Sequence, residues 1–253
     1  MNWVTRGLHV LWGIYAWLAF AVAVIAALLA TIFVPGMHRR QRVAAVITRA
    51  LFIVTGTRVT VTGVDNLPPD HCIVVANHAS YVDGLLLKAY LPGHFNFVIK
   101  GEMRNIPVAH FLLRRSGSKF VERNHLSGSA RDARQIVKAA QDGESLGFFP
   151  EGTFLKKRGV GRFRGGAFVA ALRGELPVIP VAISGTRYFM PAGRVLPRPN
   201  HLQVDILAAI APGDPDFSDS STLAEAARQR ILMVLDEPDL VPRTSEDTAQ
   251  AST

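Results

Sequence analysis

The sequence predicts an α/β protein: a mixed, largely buried sheet flanked by helices, with an N-terminal membrane-anchoring helical segment. Three observations carry this. Short apolar strand runs alternate with helical patterns from residue 58 to residue 235. Two of those runs, 72–76 and 178–183, are almost wholly apolar, as strands covered on both faces are. Residues 10–34 are 25 positions without one charged side chain.

That uncharged stretch comes first in the chain. As a helix it covers roughly 38 Å, more than the ~30 Å hydrocarbon core of a bilayer. It is too long for the apolar region of a secretory signal, so it reads as an uncleaved anchor. Trp12, Tyr15 and Trp17 sit near one end, where aromatic rings favour a membrane interface. Pro35-Gly36 breaks the helix. Arg39, Arg40 and Arg42 follow, against Arg6 alone before it, which places the rest of the chain on the cytoplasmic side (the inner membrane if the chain is bacterial). Gly13 and the excess length permit a full span or a kinked hairpin in one leaflet.

The remaining elements follow in order. Residues 58–62 alternate as a strand, 67–70 turn, and 72–76 form a buried strand. Residues 84–90 read as a helix, 95–99 as a strand, 106–115 as a helix ended by Ser116-Gly117, and 119–122 as a strand. Residues 127–140 place Ala130, Ala133, Ile136, Val137 and Ala140 on one helical face. Strand 145–149, helix 165–173 and strand 177–183 come next, the last with a bulge or an edge at Pro180. Strand 201–210 and helix 222–235 complete the pattern, and the tail from residue 244 is expected to be disordered. The predicted organisation is an anchor (1–42), an α/β domain (43–212), a helical extension (213–243) and a tail (244–253).

Composition narrows the chemistry. The 253 residues hold a single cysteine, Cys72, which excludes an internal disulfide framework and a cysteine-rich zinc site. The formal net charge is +8 and is unevenly spread: residues 1–50 carry five arginines and no acid, whereas residues 211–253 are acidic. A basic body points to an anionic partner. No recognition helix or basic aromatic motif stands out, so nucleic acid is not the expected one.

Four sites carry chemistry. Asn77-His78-Ala79-Ser80-Tyr81-Val82-Asp83 follows the 72–76 strand, and a strand end opening into a helix is where α/β folds place function. On a regular helix His78 and Asp83 would lie ~140° apart. They meet only if His78 sits in the turn and Asp83 in the first helical turn, which leaves one ring nitrogen basic and facing outward. Phe120-Val121-Glu122-Arg123 closes a strand with an arginine suited to a phosphate. Phe149-Pro150-Glu151-Gly152-Thr153 follows another strand, with Gly152 permitting close backbone approach. The fourth, Val178-Ile179-Pro180-Val181, is a core strand. Each site alone has a plainer reading: a helix cap beside a surface histidine, a solvated arginine, a solvated loop.

In this order the four sites resemble the blocks of the 1-acylglycerol-3-phosphate acyltransferase (lysophosphatidate acyltransferase) family of the glycerolipid acyltransferase superfamily, over residues 55–210. Lys100-Gly-Glu-Met with Ile106-Pro107 is similar to the segment between the first two blocks. The resemblance implies His78 as general base and Asp83 as the group orienting it. It implies Asn77, Ser80, Arg123, Glu151, Gly152 and Thr153 around the substrate. It implies no cofactor or metal, with acyl-CoA or acyl-carrier protein as co-substrate, a lysophosphatidate-like acceptor, and anionic membrane lipids as partners. One departure stands out: the family usually has Arg-Ser after the threonine, and this chain has Phe154-Leu155.

Rival readings are weaker. Gly143-Glu-Ser-Leu-Gly147 spells a serine hydrolase motif, yet the expected helix precedes it and the strand follows, the reverse of a nucleophile elbow. The eight histidines form no tight metal-ligand spacing. A non-enzymatic membrane module fits the anchor and the charge but not the strand-end residues.

Overall fold

The computed structural model describes residues 3–121, 126–154 and 156–241, leaving the side chains of 126–131 aside. Two helices open it, α1 (Trp3–Phe33) and α2 (Met37–Val54). Then come β1 (Val59–Thr62), β2 (Ile73–Ala76), α3 (Asp83–Tyr90), β3 (Asn96–Lys100), α4 (Pro107–Arg115) and β4 (Lys119–Val121). Next are α5 (Leu126–Gln141), β5 (Leu146–Phe148), α6 (Gly166–Gly174) and β6 (Val178–Ser184). A short α7 (Thr186–Phe189), β7 (Leu202–Ile206) and α8 (Ser220–Val234) complete it.

The strands form one seven-stranded sheet in the order β1-β7-β6-β2-β5-β3-β4. Every pairing is parallel except β6 with β7, so the sheet is mixed, as the sequence predicts. The central strands β2 and β5 are buried at every position. Successive side chains point to opposite faces. Ile73 and Val75 join a core under α5, α6 and α8; Val74 and Ala76 join another with Leu86, Leu87 and Phe52 from α3 and α2. The C-terminal ends of β2, β5 and β6 share one edge, and the polar turns gather there.

Pro180 lies inside the sheet, between β2 and β7, and not at an edge. Its carbonyl accepts from Leu207, but it has no N–H to offer β7. The partner chain answers with one extra residue: Val181 pairs Ile206, whereas Val178 pairs Ile210. The expected bulge is thus on the opposite strand, and it ends β7 at Ile206, short of the predicted 210.

The N-terminal segment is a helical hairpin. Trp12 Nε1 donates to the Thr55 carbonyl at 3.0 Å and the Tyr15 hydroxyl to Val54 at 2.8 Å, so α2 runs back alongside α1. Trp17 Nε1 donates to Val195 at 2.8 Å. The three aromatics expected at a lipid interface therefore fasten α1 to the protein. Gly13 permits this approach, since a Cβ there would lie 3.0 Å from the Pro197 carbonyl. Buried Gln41 of α2 donates to Asn96 Oδ1 and to the Ser116 carbonyl. The boundary expected at 42/43 falls inside α2, which the sequence reading left without an element. The boundary at 212/213 does not separate bodies either, because Leu223, Ala227 and Ile231 of α8 are core residues. The tail from 244 lies outside the described residues.

Leu86 sits wholly buried in α3, behind the turn that carries His78. Leu86→Ala is expected to cost about 2–5 kcal/mol of stability, read from urea unfolding midpoints at unchanged slope.

Candidate active site

β2 ends at Ala76, the chain turns through 77–82, and α3 starts at Asp83. In that turn His78 Nδ1 lies 2.8 Å from Asp83 Oδ2. The same oxygen accepts the backbone N–H of Ala79 at 2.7 Å and of Ser80 at 2.8 Å. A carboxylate oxygen already taking two N–H groups takes a third from Nδ1, which leaves Nε2 as the basic lone pair. Asp83 has no exposed surface; the His78 side chain keeps 18%. This is the arrangement that the five-residue spacing requires.

Two aromatic rings clamp the imidazole. Phe149 stacks on it at 4.2 Å and 18°, and Phe154 meets it edge-on at 4.7 Å. Phe154 also packs edge-on against Tyr81. Nothing in the spacing of these rings from His78 announces the clamp. It forms because β5 lies beside β2 in the sheet.

Glu151 holds the turn from behind. Its Oε1 accepts the His78 backbone N–H at 2.8 Å and its Oε2 that of Gly161 at 2.9 Å. Gly152, at φ +82°, closes the turn that aims the carboxylate inward, with its N–H on the Phe149 carbonyl. Burial raises the Glu151 carboxyl above the ordinary glutamate range, opposed by the N–H bonds from Gly161 and His78. Both oxygens are engaged by main chain, so Glu151 holds the His78 turn in place. The Asn77 amide donates to the Ile183 carbonyl at 2.9 Å and accepts the Ile183 N–H at 2.7 Å, clamping β2 to β6. Ser80, fully buried, donates to the Met190 carbonyl and accepts from Val82. Thr153 is exposed beside the turn. Arg123 lies outside the described residues.

The basic run after Thr153 is partly latched. Arg158 pairs with Asp236 at 2.7 Å, and Arg187 with Glu237 at 2.8 Å. Glu237 also accepts the Gly159 N–H, and Val160 and Leu240 bond through their backbones. A cavity of about 460 Å³ opens beside Ala79, between this latch and residues 183–188. The latch was missed from sequence because its acids lie 78 and 50 positions from their arginine partners.

Other nucleophiles are placed elsewhere. Ser145 precedes β5, at the opposite sheet edge from His78, with its hydroxyl near His71 and the Cys72 N–H. Helix before and strand after are confirmed, so no nucleophile elbow exists there. Cys72 is buried, which pushes its thiol up to about 12.

Residues 58–184, the stretch from β1 to the end of β6, match the acyltransferase family model. This chain belongs to the acyltransferase family. Among its relatives, a 1-acyl-sn-glycerol-3-phosphate acyltransferase of Chlamydomonas reinhardtii is 29% identical over 75% of this chain and 56% of its own length. A protein of the same description from Saccharomyces cerevisiae is 25% identical over 98% of this chain and 84% of its own. The chain thus spans little more than half of the algal relative. The crystal structure of the 1-acyl-sn-glycerophosphate (LPA) acyltransferase PlsC from Thermotoga maritima superposes with a TM-score of 0.75 at 23% identity, over 90% of this chain and 94% of that one. It shares the acyltransferase fold.

Because its folded value is raised, Glu151 contributes stability fully below the unfolded glutamate pKa, and that contribution is lost as pH rises through the folded one. Wild-type stability relative to Glu151→Gln is therefore expected to fall from pH 4 toward neutrality, followed by urea midpoints. Glu151→Gln should also lower acyl transfer about 10²-fold by displacing His78.

Proposed function

We propose that this chain transfers a fatty acyl group from the thioester of acyl-CoA or acyl-carrier protein to the free hydroxyl of 1-acylglycerol 3-phosphate, giving phosphatidate in phospholipid synthesis. The observation that carries this is the His78–Asp83 contact at 2.8 Å in a turn opening from the sheet edge. His78 Nε2 takes the hydroxyl proton while Asp83 holds Nδ1–H. The alkoxide attacks the thioester carbonyl, the carbon–sulfur bond breaks, and the imidazolium returns the proton to the leaving thiolate. No acyl group passes through the protein. Arg123 and the exposed Thr153 are the candidates for holding phosphate and glycerol.

The chain works at a membrane in this reading, its catalytic side cytoplasmic. α1 is 31 residues long and apolar enough to cross a membrane, with Leu18, Val22, Ile25 and Leu29 exposed. α2 returns beside it carrying Arg39, Arg40, Arg42 and Arg49, residues costly at the bilayer centre. A hairpin lying in one leaflet fits this pair better than a span.

A second acceptor class is favoured by one observation. Phe154, where the family usually has arginine, packs on the His78 ring and offers no charge. An acceptor lacking a phosphomonoester, such as another lysophospholipid or a lyso-aminolipid, fits that environment; glycerol 3-phosphate, which keeps the phosphomonoester, is a separate and smaller alternative.

The test presents purified protein with one long-chain acyl-CoA and a panel of these acceptors, read by mass spectrometry, with acyl-carrier protein as a second donor. His78→Ala should lower transfer by about 10²–10⁴-fold. Undiminished transfer in His78→Ala would remove the proposed base, and product only from acceptors without a phosphomonoester would select the second class.

A further inference from the structure

We propose that α4, with the turn before it, is a second bilayer contact that lies in the headgroup region and takes anionic lipid on its arginines. This rests on the membrane reading above. None of the nine residues of α4 is buried, although Val108, Ala109, Phe111, Leu112 and Leu113 are apolar. Ile106, Val108 and Phe111 are 50%, 45% and 39% exposed. A helix that packs no residue fully in its own protein has an apolar side awaiting another cover.

Two features identify the cover as lipid. The first is continuity. α4 touches α1, and Met37, at the hairpin turn, lies against Gly117 just past the end of α4. Exposed Phe33 and Met37 thus extend the patch toward the exposed side of α1. The second is charge. Arg104, Arg114 and Arg115 are exposed around the ridge, and residues 103–121 contain no acid. The Arg115 guanidinium lies over the Phe111 ring at 6.0 Å, and that of Arg104 over Phe120 at 5.5 Å. An aromatic or aliphatic body with an arginine at its rim is how an interfacial helix seats between acyl chains and phosphates. α4 starts after the C-terminal end of β3, at the same sheet edge as His78. Its contact would therefore fix the tilt of the site toward the lipid acceptor.

The test uses the full chain and vesicles of phosphatidylcholine with or without 30 mol% phosphatidylglycerol, titrated to obtain partition coefficients. Val108→Glu/Phe111→Glu should lower partitioning at least tenfold on both. Arg114→Gln/Arg115→Gln should lower it roughly fivefold per arginine on anionic vesicles only. A fluorophore on Val108→Cys reports directly, since Cys72 is buried: quenching by chain-brominated lipid supports the contact. Unchanged partitioning with quenching only by aqueous iodide overturns it and leaves the α1 anchor standing. Wild type that binds neither vesicle overturns the membrane reading itself. Loss of a dimer in the Glu variants would assign the ridge to a second copy and overturn the proposal.

Discussion

One oxygen atom organises the catalytic end of this protein. Asp83 Oδ2, in a side chain with no exposed surface, takes three N–H groups, from the Ala79 and Ser80 backbones and from His78 Nδ1. A buried carboxylate is tolerable only with such partners. Its other oxygen has no partner among the described residues, and sits at the start of α3, where the peptide dipoles of the helix face it. The need to satisfy Asp83 fixes where α3 begins and how the turn before it folds, and so which way the imidazole points.

Everything around that atom holds the turn still. Asn77 ties it to β6, Ser80 to the Met190 carbonyl, Glu151 to the loop containing Gly161, while Phe149 and Phe154 confine the ring. The residue types that look like substrate contacts in sequence are largely occupied with main-chain groups. In the proposed reaction Nε2 of His78 is the reacting atom, and its neighbours preorganise it.

The sheet was legible because its central strands are apolar on both faces, and the histidine–aspartate pair because five residues allow only one geometry across a turn and a helix start. The main-chain bonds of Asn77, Ser80 and Glu151 were not legible, because a sequence does not reveal which backbone groups need a partner. α2 escaped notice since its run of arginines masks the sparse buried positions Gln41, Ala45 and Phe52. Trp12, Tyr15 and Trp17 suggested a lipid interface, as amphipathic rings do, but their donors reach carbonyls brought close only by the hairpin. Pro180 was readable as a bulge; which strand carries the extra residue depends on the pairing.

The latch at residues 236–240 bears on how the protein matures. The Gly159–Gly161 loop reaches His78 through Glu151, and it is gripped from the other side by Glu237, Pro238 and Leu240. A nascent chain on the ribosome has β2, α3 and the imidazole long before those last residues emerge. The His78 turn is therefore left unbraced on that side until residues 236–240 have been made. The imidazole is made early and braced late.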